Sequence, residues 1–493
     1  MRTLTIVVLS LACVAVAHAQ PAAQFERVGQ VAFSEAEGPI KTTRLLDNQT
    51  SNQSRIVLVG KKAMRVVDVA TANVIQFRAL EIPDQEEENP RVISPDGRRL
   101  LVFGNYHQKE KKNTVLRPAA IWDLETGKQI TTLERPAKMV RAGLWSQNGK
   151  ILATSSDRYA PRFNGDRSIE VSFWDGETFK YLSSLPADKV NWWHLTDDGT
   201  KCLFSTAPIV NWFFIDRFIG DSGSAINLWD TRQGRMDQTL PISDVPSLTN
   251  TRGIEVSPDR RFLTYVAEKP KAKDTERRLV VREVDPIGSP AFQVKAKYEL
   301  PPSPKLPKYG VQFSDDGEYF AFDAGKTLQI YETKSGQKKF ELRKDETPTK
   351  WLNDNKILLY NEGDEIVGRD IATGAERYRQ KVVYVIYTYY ANTEDTIPVT
   401  ETQDYTRIVP HPDGKSFLTY SAQYLKVHDA LTGAVLQTLV EPPIDTTKAV
   451  DPKKGPRLSN KNLVFSADWT AAGEGLYMMS HDQRSVSFWS RIK

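Results

Sequence analysis

The side chains best equipped for chemistry are few and scattered. Beyond the first twenty residues stand five histidines, His107, His194, His411, His428 and His481. Metal binding by imidazole would need two of them a short, regular spacing apart with further donors nearby. No two stand so, and His-Glu-x-x-His does not occur. A nucleophilic serine would sit in Gly-x-Ser-x-Gly, a phosphate cradle in a P-loop, and calcium in a loop of alternating aspartates; none of these occurs either. The many carboxylates stand mostly in turns, where solvation and capping of amides account for them. The expectation is no catalytic, cofactor-binding or metal-binding residue and no bound cofactor. A site gathered from separate elements would leave no such linear motif.

The turns that hold those carboxylates repeat. "AAIWDLETGKQI" (from Ala119) is followed by "VSFWDGETFKYL" (Val171) and "INLWDTRQGRM" (Ile226). Looser forms are "MRVVDVATANVI" (Met64), "LVVREVDPIGS" (Leu279), "LQIYETKSGQKKF" (Leu328), "IVGRDIATGAERY" (Ile366), "LKVHDALTGAVL" (Leu425) and "VSFWSRIK" (Val486), nine in all. Each alternates apolar residues, meets Asp or a polar substitute, turns, and most resume as a strand. A second signal precedes most of them, an apolar strand entering a turn such as "SPDG", "SQNG" or "SDDG". Asp-Gly and Asn-Gly favour tight hairpins because glycine accepts positive φ at no steric cost. Each unit therefore holds four strands, and serial four-stranded antiparallel units predict an all-β chain folded as a single closed β-propeller.

The chain resembles the WD-repeat (WD40-like) family through Trp122-Asp123, Trp174-Asp175 and Trp229-Asp230, with Trp489 in the last unit. It departs from that family in lacking the Gly-His dipeptide and the hydrogen-bond network that dipeptide anchors. These tryptophans and aspartates are expected to be structural. A large flat ring fills the gap between twisted, stacked sheets, and Asp accepts turn amides. Nine units average about 53 residues, whereas eight would need about 59 and seven about 68, against a usual repeat of roughly 40 to 50. Nine blades is the count, with eight as the alternative. The final unit ends after its third strand, and the resemblance implies that the strand-like run Phe25–Phe33 completes it.

"MRTLTIVVLSLACVAVAHAQ" has a basic start, a short apolar run and a small-x-small site at Ala17-His18-Ala19. It predicts a secretory signal over residues 1–19, a propeller over 20–493, and a secreted or periplasmic protein. No other segment is apolar enough to be a transmembrane span. Only Cys202 then remains, so no intrachain disulfide is possible. The formal charge of +4 is spread along the chain, which is not the footprint of a nucleic-acid binder.

Loop lengths point to a partner. The turns after first and third strands are short, while insertions follow second strands at Tyr106, Asp157, Ala207 and Glu268, or join blades at Pro301, Tyr389 and Pro442. One plain face and one elaborated face suggest that the elaborated face meets another protein, in an envelope or extracellular assembly. Trp212, Phe213, Phe214, Ile215 and Phe218 crowd one inserted loop, and Tyr389 and Tyr390 stand in another. Exposed, these would mark an interface; folded inward, the first group would plug the channel. The rival expectation is an enzyme or small-ligand binder, quinoprotein-like or sugar-binding, with its site at the channel mouth.

Overall fold

The computed structural model describes residues 24–48, 53–83, 90–104, 106–109, 113–116, 118–133, 140–159, 167–185, 190–206, 225–241, 255–270, 275–285, 294–300, 311–323, 327–343, 350–352, 356–362, 365–381, 407–421, 424–440, 464–470, 473–480 and 483–492. Nine four-stranded antiparallel sheets succeed one another as the blades of a ring, and the described residues hold no helix. Blade 1 runs Thr42–Asn48, Gln53–Val59, Ala63–Asp68, Val74–Ala79. Blade 3 runs Val140–Trp145, Ile151–Tyr159, Arg167–Asp175, Tyr181–Ser184, and the others follow the same plan from the inside outward.

Two local devices build each blade. Between strands three and four, the strand-ending Asp accepts the amide three residues on, as Asp123 does from Thr126 (2.7 Å), Asp175 from Thr178 (2.9 Å), Asp230 from Gln233 (2.6 Å) and Asp429 from Thr432 (2.8 Å). The next residue takes positive φ, and Gly127, Gly234, Gly336, Gly374 and Gly433 stand there. Between strands one and two, a Ser or Thr hydroxyl donates to the Asp or Asn two residues later and accepts the amide five residues later. Ser94 with Asp96 and Arg99 is one case, and Thr196 with Asp198 and Lys201 is another. The two turns are then tied together. The residue after the Asp position donates its amide across to the other turn in every blade, for example Leu124 to Arg98 and Ala430 to Lys415.

Apolar faces of neighbouring blades pack into shared clusters, such as Val57, Met64, Leu100 and Trp122 between blades 1 and 2. Blades 4 and 5 are also bridged at their turns by an Arg260–Asp197 ion pair. Blade 9 takes its outer strand from the other end of the chain. Phe25–Ala32 runs antiparallel to Ser485–Arg491, pairing Phe25 with Arg491 and Ala32 with Ser485. Phe25, Val31 and Phe33 are buried there.

Candidate partner-binding face

Among the described residues, the turns between strands one and two, and between three and four, lie toward one face. Their amides and carbonyls are largely spent on one another and on the adjacent blade. Tyr298 donates to the Thr333 carbonyl, Tyr378 to that of Ala430 (3.1 Å) and Ser183 to that of Thr231 (2.6 Å), each linking one blade to the next. Little backbone is left there for a partner.

The opposite face carries the connections from strand two to strand three. In blades 1, 6, 7, 8 and 9 these are short, running from Val59 to Ala63, Asp323 to Thr327, Glu362 to Glu365, Ser421 to Tyr424 and Ser480 to Ser485. In blades 2, 3 and 5 they grow into hairpins. Blade 2 adds a separate two-stranded sheet, Tyr106–Lys109 with Asn113–Leu116. In blade 3 the pairing Asp157–Ile169 to Tyr159–Arg167 continues past Val140, where the inner strand stops. In blade 5 the pairing runs on to Pro270–Thr275, well past Glu255. Blade 4, between them, has residues 207–224 at the same place in its strand order. Among the connections from strand two to strand three, the long ones thus fall on consecutive blades, 2 to 5, while long connections between blades join 5 to 6, 7 to 8 and 8 to 9.

Trp212, Phe213, Phe214, Ile215, Phe218, Tyr389 and Tyr390 all lie outside the described residues, as do Tyr384 and Tyr387. The Trp-Asp residues are within them, the tryptophans pointing into the seams and the aspartates capping their own turns. Trp122, Trp174, Trp229 and Trp489 are buried, and each packs in a cluster with the preceding blade. The Trp174 indole donates to Thr154 Oγ1 at 3.0 Å and that of Trp229 to Ser183 Oγ at 3.3 Å. Burial pushes the Asp175 carboxyl up, but the Thr178 amide and hydroxyl, then the Glu177 amide, outweigh it and hold it below the usual range. Asp230 is likewise lowered, with Lys201 and the Gln233 amide overcoming burial.

The histidines resolve differently from one another. His428 stands where other blades have Trp, buried and stacked on Phe417 with ring centroids 4.8 Å apart. Its Nε2 meets Thr419 Oγ1 at 2.7 Å, and burial drives its pKa down to about 4. His411 replaces the turn serine. Its Nδ1 accepts the Asp413 amide (3.1 Å), and its Nε2 reaches the Gly473 carbonyl in blade 9 (3.0 Å). The signal for both was the fixed offset, one residue before Asp429 and two before Asp413.

On the innermost strands, His194 of blade 4 and Glu255 of blade 5 are half-buried. Burial, and then the Arg260 charge, lowers the His194 pKa, while burial raises that of Glu255. Cys202 is fully buried, and burial holds its thiol protonated. Among the described residues no three His, Cys, Asp or Glu side chains are grouped to hold a metal ion, and no helix is long and apolar enough to cross a membrane.

No family model matches the chain. No curated protein matches it either. Among solved structures it is similar to the C-terminal WD40 domain of Sif2, at 12% identity over 95% of this chain and 99% of that one, with a TM-score of 0.41. It is also similar to the β-propeller domain of Myceliophteria thermophila Cps50 (Swd1), at 12% identity over 71% and 96% of the two chains and a TM-score of 0.32. The blade count rests on this chain's own strand pairing, which makes it a nine-bladed β-propeller.

Proposed function

We propose that this chain is an exported, non-enzymatic propeller that binds another protein through the arc of long connections on blades 2 to 5. The observation that carries the reading is the contiguity of that arc. Random loop growth would scatter around the ring, whereas a contact surface needs neighbouring loops. The loop at residues 207–224 lies between the blade 3 and blade 5 hairpins in blade order, and it holds Trp212, Phe213, Phe214, Ile215 and Phe218. These aromatics supply the desolvated centre of the contact, and polar residues of the flanking hairpins supply its rim. Tyr389 and Tyr390, in the connection between blades 7 and 8, add a second contact apart from that arc. The leader at residues 1–19 directs the chain to the periplasm or the outside.

The test is a comparison of the tagged chain with a Trp212→Ser/Phe213→Ser/Phe218→Ser variant, purified from the native source under mild conditions. A specific protein should accompany the first and be lost from the second, with a complex weakened by at least about 2 kcal/mol and a melting temperature within a few degrees. Early unfolding of the variant would make the loop a plug on its own ring and overturn the reading.

His194 and Glu255, half-buried on adjacent inner strands with shifted pKa values, favour one second reading, a small-ligand or catalytic site at the channel mouth. A ligand whose binding is lost in Glu255→Gln, but kept in the triple serine variant, would establish it instead.

A further inference from the structure

The strand pairing defines one equivalent position on the inner strand of every blade. It is the residue before the one that pairs, through strand two, with the Trp position of strand three. His194 precedes Leu195, which pairs through Cys202 with Trp229. Arg44 likewise precedes Leu45, which pairs through Ile56 with Val67. The following residue packs into a seam, as Trp145, Leu195 and Trp351 do. The position itself stays half-buried or exposed in every blade. Side chains alternate along a strand, so these residues form a belt at a single level of the channel, beside the plain-face turns. His194, Glu255, Gln312 and Lys350 supply it from the consecutive blades 4 to 7, Asp468 from blade 9 and Arg44 from blade 1. Val409 of blade 8 is apolar, as are Val92 and Leu144 on the neighbouring blades 2 and 3, with Leu144 46% exposed. The charges alternate in sign round the belt, from Glu255 to Lys350, Asp468 and Arg44. Burial raises the Asp468 carboxyl, against the Trp469 amide and the charge of Lys350 two blades away, so charged members act on one another past blade 8.

We propose that this belt binds a neutral carbohydrate at the plain-face mouth of the channel. Two cations and two carboxylates in alternation sum to zero, so a ligand of either net charge would be repelled by half of the charged groups. A hydroxyl both donates and accepts. It can donate to Glu255 and Asp468 and accept from Lys350, Arg44 and the Gln312 amide, using every sign the belt presents. Leu144 and Val92, side by side, offer an apolar surface to the C–H face of a sugar ring. A few convergent polar groups beside an apolar wall are the usual make-up of a small-ligand site. The proposal rests on the second reading above, since His194 and Glu255 are members of the belt, and it names the ligand class for that site. It does not rest on the arc of blades 2 to 5, which lies on the other face.

Titration calorimetry of the full chain tests it, with glucose, galactose, mannose and maltose as neutral probes and glucuronate and glucosamine as charged ones. At least one neutral sugar should bind, and more tightly than either charged one. Glu255→Gln and Lys350→Met should each weaken it by at least about tenfold, the loss that follows when a charged hydrogen-bonding partner is removed. Leu144→Asp, at an exposed position outside the seam clusters, should do the same with an unchanged melting temperature. The triple serine variant of the arc should bind as the wild type does. Failure of every neutral sugar to bind overturns the proposal. Binding of a charged sugar alone, lost in Glu255→Gln, would keep the channel site and overturn the ligand class. Neutral-sugar binding that survives all three belt variants would lie elsewhere on the molecule and would also overturn it.

Discussion

The seam between blades 1 and 2 and the seam between blades 9 and 1 meet the same crowding with the glycine on opposite sides. At the first, Gly127 turns at φ +76° against the end of the neighbouring outer strand, where a Cβ would come within 2.1 Å of the Ala79 carbonyl oxygen. At the second, the turn position holds Ala72 at φ 57°, and the glycine is Gly29 on the outer strand, whose added Cβ would meet that of Ala72 at 2.6 Å. Gly29 also sits where the closing strand's register shifts. At each of these two seams one Cβ is missing at the contact, from the turn at the first and from the outer strand at the second. The second seam is also the one made by the N-terminal strand. On the other side of that strand the ordinary turn is replaced by a side chain. Gln437 accepts the Phe25 amide (2.8 Å) and donates to the Phe25 carbonyl (2.6 Å).

The largest effect expected comes from removing the closing strand. Deleting Ala22–Ser34 strips Phe25, Val31 and Phe33 from two seams and bares the edge of Ser485–Arg491. The chain should aggregate or melt more than about 5 °C lower, given about 2–4 °C per kcal/mol for large domains. An unchanged melting curve would show that this seam is not the equal of the others. Within an ordinary seam, Trp174→Ala should cost about 3–5 kcal/mol in denaturant unfolding, as for other truncated buried aromatics. A smaller cost would mean that the seams do not depend on their large rings.

The fold was legible because its signals are local. An Asp that accepts the amide three residues on, a residue at positive φ, and a Ser-x-Asp-Gly turn are complete within six residues, so nine of them could be counted along the chain. The ends of the hairpins in blades 3 and 5 were legible as insertions for the same reason. What escaped reading depends on the neighbouring blade. Nothing near Gly29 in the sequence announces Ala72, and the offset that puts His428 in a tryptophan's place does not say that it stacks on Phe417. For the proposed contact, the aromatic density of 207–224 was plain, but whether it faces inward or outward depends on contacts far along the chain.

His428 offers a milder test of the same comparison, since it makes one seam titratable where Trp174 makes another inert. Its folded pKa of about 4 lies below the ordinary 6.5, so the unfolded chain binds the proton more readily. The seam's stabilisation is complete above about pH 6.5 and declines as the pH falls toward 4, by about 3 kcal/mol in all. Unfolding measured from pH 7 to 4 should show that slope, and His428→Phe should lose it. The smallest effect is at the exchanged glycine. Gly29→Ala should destabilise by about 1–2 kcal/mol, and adding Ala72→Gly should recover much of that. Independent, additive costs would mean that the two residues do not share one contact.

The closing strand also changes how the array can come apart. Stacked repeats that touch only their neighbours behave as a one-dimensional chain, which frays from its ends and needs polar caps there. Pairing Phe25–Ala32 with Ser485–Arg491 joins the first described strand to the last, so the array has no terminal repeat. Loss of one blade then breaks two seams at once, and fraying gives way to cooperative opening. The same pairing must wait for the end of the chain. Arg27 meets Ser487 across 460 residues, so the ring cannot seal until the ninth blade exists. Closure entropy grows only with the logarithm of that length and is largely settled once the intervening blades have stacked. Ring closure therefore joins the short strand that is made first to the blade that is made last.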